Sequence, residues 1–232
     1  MKRVKYLTML IVALFCSATI NAQGIKIYKN NGTVLDISYT KIDSIVAYGE
    51  NTNNDDSHEC VDLGLSVKWA TCNVGADSPE EYGNYYAWGE TTPKSEYTEE
   101  NSKTYEKNIG DISGNPEYDA ATANWGDGWR MPTEVEIREL LDSCTWTWTT
   151  QNGVEGYKVA SKENSNYIFL PAAGYRRGSW LSNAGSMGCY WSSAPYESDT
   201  QSAYSLDFYS GFHGPDWCGR YFGLSVRPVT DK

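Results

Sequence analysis

The chain has 232 residues, 21% of them charged, with 19 basic against 30 acidic side chains and a net charge of −11. That length suits one domain of ordinary size plus an appendage. The acidic balance argues against nucleic acid and anionic membrane surfaces as partners, because both need a cationic face.

Residues 1–22 read as a secretory signal peptide. Lys2, Arg3 and Lys5 form a basic start, an apolar run extends from Tyr6 to Ile20, and the small Ala22 precedes Gln23. The run is short for a membrane anchor, and no later stretch is apolar enough to span a bilayer. The expected mature chain therefore has no transmembrane segment. It carries 16 basic and 30 acidic groups, a net charge near −14. Its expected location is outside the cytoplasm: cell surface, periplasm or medium.

Residues 23–48 read as a short β-hairpin unit. Apolar and polar residues alternate over Ile25–Tyr28 and Val34–Ile37, with "KNNG" between them. So small a unit does not stand alone; it is expected to dock on the main domain or to pair with a partner's strand. Residues 49–57 are polar and read as a linker.

The main domain is expected over residues 58–232. Val61–Leu63 and Ser66–Ala70 read as strands around Gly64. Residues 77–116 show little periodicity and read as a long loop region. Ala120–Asn124 reads as a short helix. "RMPTEVEIRELLDSC" is the clearest helix: Thr133 caps it, Glu136 completes a capping box, and Ile137, Leu140 and Leu141 form its buried face. Strands then dominate: "TWTWTT", "GYKVAS", "YIFLPAAGY", "YWSSAPY", "AYSLDFYS" and "GLSVRPV", separated by turns such as "QNG" and "RRGS". The fold class is α+β, with one or two helices and mainly antiparallel strands.

Five cysteines follow the signal: Cys60, Cys72, Cys144, Cys189 and Cys218. The odd number leaves at least one outside any internal disulfide. Cys72 and Cys144 read as small buried apolar residues. With no CxxC and only His58 and His213, neither a metal site nor a cofactor is expected.

Five segments occur in order: "VDLGLSVKWATCNVGA" (61–76), "NWGDGWRMPTEVEIREL" (124–140), "FLPAAGYR" (169–176), "YWSS" (190–193) and "GLSVRPV" (223–229). Together they resemble the Fibrobacter succinogenes major paralogous domain, found in secreted proteins of Bacteroidetes, which in turn resembles the C-type lectin fold. The resemblance implies a C-type-lectin-like domain over most of residues 58–232. Trp69, Trp125, Trp129 and Trp191 are then mostly core, and Arg130 and Arg227 are structural.

Enzyme chemistry finds little support. Glu134, Glu136 and Glu139 belong to the capped helix. Cys218 has His213 five residues away but no other sign of a reactive pair. "GPDW", Gly214–Trp217, offers one carboxylate where calcium needs six to eight oxygens, and reads as a turn. A glycosidase would require two carboxylates about 5 to 10 Å apart in a cleft.

A recognition surface is better supported. Ten of the 34 residues from Cys189 to Phe222 are aromatic, and Ser and Gly fill much of the rest. Rigid rings among small polar residues are the composition of a contact surface. Alternation along "AYSLDFYS" puts Ala203, Ser205, Asp207 and Tyr209 on the expected solvent face. "FHGPDWCGRYF" has no usable period and reads as a loop. The candidate ligand-binding residues are Tyr196, Ser198, Asp199, Ser205, Asp207, Tyr209, Phe212, His213, Asp216, Trp217, Tyr221 and Phe222. The expected partner is an extracellular protein or glycan.

The same region resembles the targets of diversity-generating retroelements. Tyr190–Ser193, Ala203, Phe208, Ser210, Gly211, Arg220, Gly223 and Ser225–Val229 match their fixed frame, and the positions between would be the varied ones. Asparagine occurs 16 times up to residue 183 and not after it, the pattern expected where asparagine codons mutate at adenines. An ordinary family member with a fixed binding loop fits the same residues.

Overall fold

The computed structural model describes residues 24–28, 34–38, 58–126 and 128–232. The signal-peptide and linker assignments lie outside the described residues. The chain divides into two compact units, Met1–Thr52 and Asn53–Lys232.

In the first unit, β1 (Gly24–Tyr28) and β2 (Val34–Ser38) pair antiparallel, with Gly24 opposite Ser38 and Tyr28 opposite Val34. Among the described residues each has one strand partner.

The second unit is α+β, with two helices and small, mostly antiparallel sheets. It opens with β3 (Cys60–Val61) and β4 (Lys68–Ala70), both shorter than their expected spans. Residues 77–116 form no helix and no multi-residue strand, yet they bury Tyr85, Tyr86, Trp88, Tyr97 and Ile112. Asp119 holds the end of this region in place. Its carboxylate accepts from the backbone N–H groups of Gly114, Ala121, Thr122 and Met131, capping α1 (Ala120–Trp125) as it does so.

Helix α2 (Glu134–Ser143) begins as the capping box requires: Thr133 Oγ accepts from the Glu136 N–H, and the Glu136 carboxylate accepts from the Thr133 N–H. Ile137 and Leu140 are buried and Leu141 partly so. Glu136 also pairs with Arg130 at 2.6 Å. Burial alone would raise the Glu136 pKa, but Arg130 and the Thr133 amide hold it below the usual carboxylate value. Glu134 pairs with Arg138, and Glu139 accepts from Ser66. All three helix glutamates are thus engaged in the scaffold.

Strands β5 (Cys144–Gln151), β6 (Val154–Ser161) and β7 (Tyr167–Pro171) form one sheet. Asn152 and Gly153, at φ +49° and +85°, make the tight turn between the first two. A small hairpin follows, β8 (Tyr175–Arg177) with β9 (Trp180–Ser182). Then β10 (Met187–Pro195), β11 (Ser202–Tyr209) and β12 (Phe212–Gly219) form a sheet with β11 at its centre.

The expected loop at Phe212–Gly219 is therefore a strand, and Gly214–Trp217 is its middle rather than a turn. It pairs with β11 residue for residue, from Tyr209 opposite Phe212 to Ser202 opposite Gly219. The two-residue turn Ser210–Gly211, with Gly211 at φ +92°, sets this register. Pro215 is accommodated because β12 is an edge strand.

The closing segment also differs from expectation. "GLSVRPV" makes single bridges from Gly223, Leu224 and Ser225 to three different parts of the chain. Only Val229–Thr230 forms a strand, β13, beside β4.

Two core clusters sandwich the β10–β11 ladder. Tyr190, Leu206 and Phe208 join Leu63, Trp69, Ile137, Leu140 and Leu170 on one side. Cys189, Trp191 and Ala203 join Trp88, Met131, Leu224 and Val226 on the other. Of the four tryptophans expected in the core, Trp69 and Trp191 are buried there. Trp125 and Trp129 are half-buried, packed edge to face beside His58. Arg227 is 1% exposed. Its guanidinium donates to Asn73 Oδ1 and to the carbonyls of Ala70, Thr71 and Phe169. Arg220 is buried over the Trp88 ring and donates to the carbonyls of Ser202 and Lys107.

Candidate functional site

The register of β11 and β12 decides where the candidate residues go, since directly opposed residues in an antiparallel pair share a face. Trp217, Pro215 and His213 lie on the face of Tyr204, Leu206 and Phe208. Phe212, Gly214 and Asp216 lie on the face of Tyr209, Asp207 and Ser205. The twelve candidates therefore do not form one surface.

On the first face, Trp217 is 55% exposed and stacks on Tyr196, ring centres 5.0 Å apart and planes 8° from parallel. Tyr196 meets Tyr204 edge to face at 5.3 Å. Ser198 and Asp199 are exposed in the loop between β10 and β11. Asp199 shapes that loop: one of its oxygens accepts from the N–H groups of Gln201 and Ser202. His213 stacks on Trp146 at 4.8 Å, and burial holds its pKa below the ordinary histidine value. Beside it lies an open hollow of about 240 Å³ between Leu141 of α2 and Pro215 of β12.

On the second face, the rings of Tyr209 and Phe212 stack at 5.2 Å and are 50% and 42% exposed. Next to them the expected solvent face turns inward. Ser205 is 1% and Ala203 0% exposed. The reason is that β11 is central, and its second face meets the core cluster built from the long loop region and the closing segment. Asp207 is partly buried there. It accepts from Ser205 Oγ at 2.9 Å, and the Cys189 thiol lies 3.6 Å from its other oxygen. Burial, aided by the charge of Asp216, raises its pKa to about 6. Burial likewise pushes the Cys218 thiol up to about 12 and raises Cys189 further. Asp207 and Asp216 are diagonal neighbours on the ladder, a relation that spaces Cα atoms by about 7–8 Å.

Tyr221 and Phe222 form a third group beyond β12. Both are half-buried; Tyr221 packs edge to face on Tyr105 and Phe222 packs against Tyr175.

Cys60, Cys72, Cys144, Cys189 and Cys218 are free thiols; Cys72, Cys144 and Cys189 are buried and Cys60 is exposed. Among the described residues, no group of three His, Cys, Asp or Glu side chains is arranged to hold a metal ion, and no helix is long and apolar enough to cross a membrane.

With this geometry in hand, one family comparison bears on the chain. Residues 121–229 match the model of a family described as "Domain of unknown function (DUF8237)". No curated protein and no solved structure matches the chain. The matched span runs from α1 to β13 and takes in every candidate residue. It leaves out Trp69, Trp88 and Tyr97, so part of the core that supports the span lies before it.

Two exposed rings lie outside the residues expected from sequence, Tyr167 at 48% exposure and Trp180. Trp180, at the start of β9, is 77% exposed, and Leu181 beside it is 41% exposed. The available signal was a tryptophan next to the turn "RRGS".

Proposed function

We propose that this chain is an exported, non-enzymatic binding protein whose body is a C-type-lectin-like domain of the Fibrobacter succinogenes major paralogous type. Its ligand is a protein or a glycan outside the cell. The observation that carries this reading is the β11–β12 hairpin, a fully paired ladder that holds Tyr209, Phe212 and Trp217 at 42–55% exposure. Large rings left in water on a regular backbone are idle in the fold and lose little freedom on binding.

The retroelement reading has support of the same kind. The frame residues Tyr190–Ser193, Ala203, Phe208, Arg220, Gly223 and Ser225–Val229 are buried, while Ser210 and Gly211, at the β11–β12 turn, are exposed. Of the positions between them, Tyr209, Phe212, His213 and Trp217 are exposed, whereas Ser205 and Leu206 are not. Across isolates, substitutions should concentrate at adenine-derived codon positions between Cys189 and Leu224, beside a reverse transcriptase and a near-repeat. Even scatter along the gene would remove this part of the proposal.

One observation favours a hydrolase instead, the Asp207–Asp216 pair with one raised pKa. Against it, Asp207 has one oxygen accepting from Ser205 and the other facing the Cys189 thiol. The β1–β2 unit, whose strands have one strand partner each among the described residues, supports a further role in strand pairing with a partner chain.

The deciding experiment is a screen of the full chain against arrays of purified glycans and secreted proteins, repeated with Trp217→Ala and Phe212→Ala. A ligand whose affinity falls at least about tenfold in either variant, the usual size of a hot-spot loss, supports the reading. Both variants should keep the wild-type circular dichroism spectrum. Unaltered binding by both, or turnover of an array member, overturns it.

A further inference from the structure

The third aromatic group borders an open hollow. It has a volume of about 510 Å³, within the usual range of small-ligand clefts, roughly 300–1,000 Å³. Tyr97 and the turn after it, the β8–β9 hairpin, and Tyr221 form it; the first two are adjacent segments of backbone. They are joined by a reciprocal pair of backbone hydrogen bonds: Tyr97 N–H to Gly178 O at 2.9 Å and Gly178 N–H to Tyr97 O at 2.8 Å.

The floor is fixed. Tyr97 is 1% exposed and its hydroxyl donates to the Tyr85 carbonyl at 2.6 Å. Its ring lies so close to Gly223 that a Cβ there would come within 2.6 Å of it. The turn is tied as well, because Asn101 accepts from the Thr98 N–H and from Lys94 Nζ and donates to the Glu96 carbonyl. The hollow is thus built on backbone already held in place, which lowers the ordering cost of binding.

The lining is chemically mixed. Trp180 supplies a broad apolar face, and no packing ring is recorded for it among the described residues. Glu99 and Glu100 supply exposed carboxylates. Hydrogen bonds from its own backbone and from Thr98 hold Glu100 below the usual carboxylate pKa, so it remains an acceptor under mildly acidic conditions. Arg177 and Tyr221 supply donors. An anion would meet the two glutamates and the chain's overall negative charge. A cation would meet Arg177. A neutral ligand rich in hydroxyls uses donors and acceptors together, and its apolar C–H face lies on the indole.

We infer that this hollow, centred on Trp180, is a second binding site and that it takes a neutral carbohydrate without a metal ion. It goes beyond the hairpin surface proposed above and shares only Tyr221 with the residues expected from sequence.

The test is affinity electrophoresis of the full chain, in the presence of a chelator, through gels containing starch, mannan, xylan or a mixed-linkage β-glucan. Polygalacturonate serves as the anionic comparator, and a proline-rich peptide, titrated in solution, as the peptidic one. At least one neutral gel should retard the protein. Trp180→Ala should weaken that retardation at least about tenfold, and Trp180→Phe should restore part of it. Val135→Ala, which truncates an exposed apolar side chain on α2, should leave it unchanged; retardation that Trp217→Ala abolishes and Trp180→Ala does not would belong to the hairpin surface and overturn the inference. The circular dichroism of Trp180→Ala should match wild type, since so exposed a ring holds little of the core. No retardation by any neutral polysaccharide, equal retardation of Trp180→Ala, or binding of a comparator alone overturns the inference.

Discussion

Replacing Asp207 with Asn should stabilise the protein at alkaline pH and do little at acid pH. In the folded chain this carboxyl has a pKa of about 6 because it is buried beside Asp216; unfolded, it returns to about 3.8. The folded state therefore holds its proton longer than the unfolded state. That contribution is fully present below about pH 4 and is lost as pH rises through 6. A difference of about two pKa units corresponds to about 3 kcal/mol of destabilisation at pH 8. Asn removes the charge, and a weakened hydrogen bond from Ser205 returns about 1 kcal/mol. The net gain is about 2 kcal/mol, or about 4–8 °C in Tm for a domain of this size. The thiols of Cys189 and Cys218 stay neutral throughout, since burial raises both. His213, whose pKa is lowered, acts in the opposite direction but equally in both proteins, so their difference isolates Asp207. Thermal unfolding followed by near-UV circular dichroism from pH 4.5 to 8 is the assay. Two Tm curves that nearly meet at the acid end, draw apart as pH rises to about 6 and keep a constant gap above it are expected. Curves parallel over the whole range would refute the reasoning.

Two substitutions test the scaffold. Gly188→Ala places a Cβ inside the Phe208 ring; it should cost about 1–3 kcal/mol by urea unfolding, and Phe208→Leu should recover part of that. Arg227→Met strands the carbonyls of Ala70, Thr71 and Phe169, at about 1–3 kcal/mol for each buried acceptor left unpaired; a total loss below about 1 kcal/mol would mean that water or a neighbour replaces the guanidinium.

What could be read from the sequence follows from which interactions are local. Helix α2 was legible because Thr133, Glu136, Ile137 and Leu140 sit within eight residues of one another and carry both its start and its buried face. The β5–β6 hairpin was legible from Asn152 and Gly153. Strand β12 was not, because its ladder depends on β11 rather than on its own alternation, and an edge position removes the usual objection to Pro215. The inward face of Ser205 and Asp207 was hidden for a related reason. The core cluster on that side of the sheet draws on Trp88, Met131 and Leu224, which are distant in sequence. The candidate residues lie in one stretch of chain, but strand pairing divides them between two faces and leaves Tyr221 and Phe222 beyond β12, and Trp180 falls outside the stretch altogether.

The sheet of β3, β4 and β13 brings the two ends of the second unit together. Cys60 lies opposite Ala70, Val229 lies opposite Trp69, and Lys232 reaches Asp62 at 3.2 Å. The first and last strands of this unit thus belong to a single small sheet, on either side of β4. A force applied between them would load that sheet first and spare the β10–β12 ladder. The same proximity suits the unit to insertion into a surface loop of another protein, or to circular permutation through a short linker, without disturbing the strands that carry the exposed rings.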